Sequence, residues 1–175
     1  MAASGTLSRT LMSVLSPKSL RCTIVPHASV EEAVERMVHN NVGSLVVMDP
    51  EQGSKRRNSG SEHSTSVVVG IVTERDYLKK FRPSTSQLVK DIMTADVQCV
   101  TGDTTLADCM ELMIEGDFRH VPVLLPTAGE NHATEFVGVI SMRDVIRELV
   151  KEKKSTIEHY RDQINKLANA VGGQR

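Results

Sequence analysis

In the first half of the chain Val30, Ala33, Val34, Met37 and Val38 recur at short helical intervals, and Leu106, Cys109, Met110 and Met113 repeat the pattern further on. Three- and four-residue spacing places apolar side chains on one face of a helix. Ser29-x-x-Glu32 and Thr105-x-x-Asp108 stand just ahead of these stretches, where a capping box starts a helix. Short extended pieces, Thr23–Val25 and Cys99–Thr101, come first. After each helix follow two runs rich in β-branched residues, Ser44–Met48 and Val67–Val72, then His120–Leu124 and Phe136–Ile140. The second run of each half leads straight into another helix. The order βαββα therefore occurs twice.

The two copies also align residue by residue. An ungapped shift of 76 positions sets Val30 on Leu106, Ala33 on Cys109, Met37 on Met113 and Val46–Val47 on Pro122–Val123. Past a loop of different length, VGIVTERDYLKKF (69–81) aligns with VGVISMRDVIREL (137–149). Agreement over some 40 residues per half is the mark of an internal repeat. One such unit has too little core to stand alone, whereas two can bury their sheets and helices against each other. The expected fold is α+β, with two βαββα units packed about a pseudo-two-fold axis. Residues 11–82 form the first unit, 83–87 a linker, 88–150 the second unit and 151–175 a helical tail, with an extension at 1–10. In the tail Ile157, Tyr160, Ile164 and Leu167 form an apolar stripe that can pack back on the module or pair with its copy in a second chain.

The β–β connections differ. Residues 49–66 are long, polar and Gly/Ser-rich, which predicts a surface loop. It carries Arg56-Arg57-Asn58-Ser59, a pattern a basophilic kinase could use, although a solvated charge run accounts for it more simply.

The candidate chemistry lies where strand runs into helix. GIVTERD (70–76) and GVISMRD (138–144) share a Gly, two apolar residues, Thr or Ser, and an Asp three positions on. A carboxylate can accept both hydrogens of a ribose cis-diol. A hydroxyl at a helix start lies beside free backbone N–H groups that favour phosphate. The same residues also spell a capping box, and a cap needs no ligand. Capping and binding are compatible, with the hydroxyl serving one and the carboxylate the other. Arg119 and His120 stand where the first half has Gly43 and Ser44, so the halves are not equivalent. A guanidinium beside an imidazole suits a phosphate. Arg75 and Arg143 are further cations inside the helix-start signature.

Bulk properties narrow the classes. A net charge of −1 and 3% aromatic residues without Trp argue against nucleic acid as the partner. No apolar run is long enough to cross a bilayer. Cys22, Cys99 and Cys109 make an odd count without a C-x-x-C pair, as expected of reduced packing thiols rather than a disulfide framework. The first 30 residues lack Asp and Glu but carry Arg9, Lys18 and Arg21, and Leu7, Leu11, Val14 and Leu15 share a helical face. That pattern fits a mitochondrial transit segment, in which case the protein is mitochondrial; an entry helix packed on the first domain is the alternative, with a cytoplasmic protein. Phosphate-loop, dinucleotide and zinc-protease motifs are absent, and the six His show no metal-ligand spacing, so neither a metal nor enzymatic activity is expected.

With these residues in view, the chain resembles a tandem pair of cystathionine-β-synthase (CBS) motifs, a Bateman module. The resemblance rests on Thr23-Ile24-Val25-Pro26, NNVGSLVVM (40–48), VGIVTERDYLKKF, VKDIMT (89–94), FRHVPV (118–123) and VGVISMRDVIREL. It is similar to the stand-alone single-pair proteins of plants and bacteria, but Gly102 replaces the Pro found at Pro26. The resemblance implies AMP, ADP, ATP or an adenosyl ligand such as S-adenosylmethionine in the cleft between motifs. It nominates Thr73 and Asp76 in the first half and Ser141 and Asp144 in the second. Arg119, His120 and Thr23 join them as candidate contacts. It further implies a homodimer and a non-catalytic sensor that modulates a protein partner, with a thioredoxin-type partner suggested by the plant relatives. A ligand-free scaffold is the rival reading.

Overall fold

The computed structural model describes residues 9–15, 22–50, 67–83, 86–127 and 134–172. The Ser59 pattern lies outside them. Strand β1 (Thr23–Ile24), helix α1 (Val30–Asn40), strands β2 (Ser44–Asp49) and β3 (Val67–Thr73) and helix α2 (Glu74–Lys80) make the first half. A short helix α3 (Val89–Ile92) leads into β4 (Val100–Thr101), α4 (Leu106–Glu115), β5 (His120–Pro126), β6 (Thr134–Ser141) and the long α5 (Met142–Gly172). The α+β architecture and the C-terminal helix are as the sequence predicts.

Each half folds one three-stranded sheet, ordered β1-β2-β3 and β4-β5-β6. The first strand of each runs parallel to the second, and the third is antiparallel. The register follows the sequence repeat. Ile24 pairs with Val47 as Val100 pairs with Val123, and Ser44 faces Thr73 as His120 faces Ser141. Both hairpins carry a register shift at the same place, Val47/Met48 and Val123/Leu124, where the extra residue increases the local twist. The helices before β2 and β5 also end alike, on Asn41 and Asp117 with φ of 53° and 49°. Asn and Asp tolerate this left-handed conformation better than other residues with a Cβ.

Helix starts show how the caps work. Ser29 Oγ accepts the Glu32 N–H at 3.1 Å and Thr105 Oγ accepts the Asp108 N–H at 3.1 Å. In the first of these boxes Glu32 turns to Arg36, at 2.7 Å. The apolar face of α1 then buries Val30, Ala33 and Met37 against Leu45, Val46 and Val47. Leu106, Cys109 and Met113 of α4 do the same against Val121 and Val123.

The halves exchange their leading segments. Among the described residues of this stretch, the 3-10 turn Leu11–Ser13 packs on the second half, not on the first domain where an entry helix is expected. Leu11 N–H donates to Thr104 O and Met12 N–H to Gly102 O, while Leu106 N–H donates to Arg9 O. The counterpart segment, from Gln87 into α3, does the same to the first half: Val89 N–H donates to Ala28 O, Lys90 N–H to Pro26 O, and Val30 N–H to Gln87 O. Leu11 is fully buried in the second core, and Val89 and Ile92 are fully buried in the first. Val139 of β6 also belongs to the first core, so the two sheets share an interior.

Candidate functional site at the junction of the repeats

Strand β3 delivers Thr73 and Asp76 to the start of α2 as a complete capping box. The Thr73 N–H donates to Asp76 Oδ2 at 3.0 Å and the Thr73 hydroxyl to the same oxygen at 2.7 Å. The Asp76 N–H returns a bond to Thr73 Oγ at 3.2 Å. The second carboxylate oxygen accepts from the Thr94 hydroxyl at 3.1 Å and lies 2.8 Å from Lys80 Nζ. Asp76 is 8% exposed. Burial alone would raise its pKa, but hydrogen bonds from Lys80, Thr73 and Thr94, with the Lys80 charge, hold it below the ordinary carboxylate value. All four acceptor directions of this carboxylate are therefore met by the chain itself.

Thr94 reaches Asp76 because the segment after α3 makes an isolated antiparallel bridge to β3. Ile71 and Thr94 exchange backbone bonds at 2.9 and 2.8 Å. Gly70 permits the approach: a Cβ there would stand 2.9 Å from the Thr94 carbonyl oxygen and 2.7 Å from Met93 Sδ. Lys80 ties the same segment from the other side, donating to Ile92 O at 2.8 Å. Thr94 and Lys80 had no signal as site residues in the sequence, although VKDIMT was part of the family pattern.

Ser141 and Asp144 repeat the cap at the start of α5. The Ser141 N–H donates to Asp144 Oδ2 at 3.1 Å, the Ser141 hydroxyl bonds to that oxygen as well, and the Asp144 N–H donates to Ser141 Oγ at 3.2 Å. The surroundings differ. Asp144 Oδ1 meets Arg147 at 2.9 Å, and the two side chains are 35% and 54% exposed. This carboxylate faces outward where Asp76 faces inward.

Arg119 and His120 fall beside this second signature. His120 pairs across the hairpin with Ser141, and the Arg119 carbonyl accepts the Met142 N–H at 2.9 Å. The counterpart bond in the first half runs from Glu74 N–H to Gly43 O. Burial and the nearby Arg119 charge lower the His120 pKa, against opposing pulls from Glu74 and Asp144. Glu74 belongs to α2, so His120 stands where the halves meet. A second link crosses the same junction: Arg75 donates to Asp117 Oδ2 and to the Asp117 carbonyl, both at 3.2 Å. Four nominated residues, Arg119, His120, Ser141 and Asp144, thus converge, while Thr73 and Asp76 form a separate closed cluster.

Thr23 sits apart from both. It occupies edge strand β1, paired with Val46, and its carbonyl accepts a bond from Arg36 at 3.1 Å. With Ile24, Val25, Arg36, Met48 and Pro50 it lines an open concavity of about 200 Å³.

The thiols are placed for packing. Cys22 and Cys109 are buried and Cys99 is half-buried. Burial raises all three, Cys109 to about 11, which disfavours the reactive thiolate. Among the described residues no cluster of His, Cys, Asp and Glu could hold a metal ion, and no helix is long and apolar enough to cross a membrane.

Comparison with known proteins agrees with this architecture. The family model described as CBS domain matches residues 15–82 and 89–151. CBS domain-containing protein CBSX3, mitochondrial, of Arabidopsis thaliana is 33% identical over 171 residues, 90% of this chain and 73% of that protein. A protein of Acidianus ambivalens is 33% identical over 128 residues, 73% of this chain, and the match spans 66% of its length. The crystal structure of the CBS domain NE2398 superposes with a TM-score of 0.63 at 30% identity, covering 81% of this chain and 98% of that one. CBSX2 in complex with AMP gives 0.60 at 24% identity, over 82% and 98%. The repeated sheets, the exchanged leading segments and the paired helix-start carboxylates are thus those of a protein that belongs to the CBS domain family, with two CBS motifs in one chain.

Proposed function

We propose that this protein is a non-catalytic sensor of adenine nucleotide, binding AMP, ADP, ATP or an adenosyl ligand at the junction of its two CBS motifs. The observation that carries the reading is the convergence of Arg119, His120, Ser141 and Asp144 beside Glu74 of the other half. Asp144 accepts the ribose hydroxyls, for which it must release the exposed Arg147. Exchanging one exposed ion pair costs little. Arg119 supplies positive charge for phosphate at the same place. Asp76 is the poorer ribose acceptor, because a diol there must displace Lys80 and Thr94 from a buried carboxylate. The AMP held by CBSX2, a neighbour in fold, supports the ligand class.

A ligand that touches Asp144 and the Arg119–His120 corner acts where the halves meet. It stabilises one arrangement of Arg75 with Asp117 and of His120 with Glu74, and any protein partner that reads this arrangement is coupled to the nucleotide. By linkage the partner, thioredoxin-type or other, alters nucleotide affinity by the same factor. Four apolar residues at equivalent positions of the repeats, Val38, Leu78, Ile114 and Ile146, are half or more exposed and support a homodimer. Mitochondrial location rests on the name of the Arabidopsis relative and on the basic, acid-free N-terminal sequence.

A melting series tests the ligand. Ligand at a hundred times its dissociation constant adds about 2.7 kcal/mol, a shift of several degrees for a chain of this size. No shift with AMP, ADP, ATP or S-adenosylmethionine would favour a ligand-free scaffold.

A further inference from the structure

Helix α5 does not stop where the module does. Val145 packs fully buried in the second core, but every described residue from Lys153 to Asn169 is exposed. At 1.5 Å per residue this outlying stretch projects about 25 Å. Helices of this length gain most of their stability from packing an apolar face, and this one packs its apolar face on nothing among the described residues.

The exposed apolar side chains are not scattered. Ile157, Tyr160, Ile164 and Leu167 alternate three- and four-residue steps, and each is half or more exposed. Continued backward, the same heptad passes the charged Lys153 and then meets Val150 and Ile146, both exposed at the module's edge. At 100° per residue the four outer side chains fall within an arc of about 80°, narrower than the face a helix lays on a globular core or a lipid surface. A strip confined to two positions in seven is the seam of a coiled coil.

Flanking charge selects the orientation. With Val150, Ile157 and Ile164 at position a, the e positions are Arg147, Lys154 and Arg161, while the g positions are Leu149, Thr156 and Gln163. Parallel pairing sets each e row against the uncharged g row of the other helix. Antiparallel pairing sets the basic e rows against each other, and like charges at this distance repel.

We infer that the outer part of α5 is a parallel two-stranded coiled coil with the α5 of a second copy of this chain, seamed by Ile157, Tyr160, Ile164 and Leu167. This deepens the homodimer reading by giving it a second contact, separate from the module's own exposed face. It leaves the nucleotide site untouched.

The test uses the full chain in sedimentation equilibrium, with mild oxidation of a cysteine variant alongside. Ile164→Glu with Leu167→Glu should leave the melting of the module cores unchanged and raise the dimer dissociation constant by at least about 100-fold, since two seam contacts are lost. Leu167→Cys should form a disulfide-linked dimer, because parallel helices in register bring this d position against its own copy, whereas the wild-type chain should not. An unchanged dissociation constant in the double Glu variant overturns the inference and leaves a dimer made by the module face. Absence of cross-linking in Leu167→Cys overturns the parallel seam. A monomeric wild-type chain overturns the inference as well. None of these outcomes alters the melting response to nucleotide, so the two readings fail separately.

Discussion

Leu11 donates its N–H to the Thr104 carbonyl at 2.9 Å and buries its side chain completely in the core of the second repeat, across the length of the first. Val89 makes the matching bond to Ala28 in the first repeat. Each repeat is therefore closed by a segment that belongs to the other.

This exchange limits what can be removed from the N-terminus. Leu11→Ala should cost about 2–5 kcal/mol, the usual penalty for a large cavity in a packed core. Urea denaturation of this variant beside the wild type measures the loss. A transit segment, if one is cleaved, must end before Arg9, whose backbone and whose ion pair to Glu148 at 3.0 Å both hold the second half.

Asp76 is expected to matter for stability more than for binding. Asp76→Ala leaves the Lys80 ammonium and the Thr94 hydroxyl without their shared acceptor and should destabilise the first half by about 1–3 kcal/mol. Its pKa is lower in the folded chain than in the unfolded one, so its contribution is complete above about pH 4 and lost as pH falls through the folded value. Acid titration of the wild type and Asp76→Asn should therefore converge at low pH.

His120 works in the same direction at a higher pH. Its folded pKa lies below the ordinary 6.5, held down by burial and by Arg119, with Glu74 and Asp144 pulling the other way. Between the two values the unfolded chain binds more protons, so stability rises with pH there. The contribution is present above about pH 6.5 and is lost as pH falls through the folded value. His120→Gln should flatten the stability profile just below about pH 6.5, measured by denaturant midpoints; an unaltered slope would place His120 outside the junction.

The repeat was the most legible feature because its signal is local. The shift that sets Val46–Val47 on Pro122–Val123 is the shift the two sheets obey, down to the position of the bulge. The helix-start signatures were legible for the same reason, since Thr73 caps three residues on. The exchange of leading segments was hidden, because Leu11 and Val89 find their partners across a whole repeat and a four-residue helix has no periodicity to read. Thr94 and Lys80 at Asp76 were hidden too: one comes from the next unit, the other is a lysine on a helix otherwise read as solvated. Arg75 reads from the sequence as a further cation inside the signature, and in the structure it bridges to Asp117. Thr23 shared the motif's start but faces a different part of the surface.

The central claim is that the Asp144 half, beside Arg119 and His120, holds the nucleotide. Calorimetric titration of AMP and ATP into wild type, Asp144→Ala and Asp76→Ala measures it directly. One site per chain is predicted, lost in Asp144→Ala and retained, within a few-fold in affinity, in Asp76→Ala wherever that variant is folded. Unchanged binding in Asp144→Ala, or binding abolished by folded Asp76→Ala alone, would contradict the account.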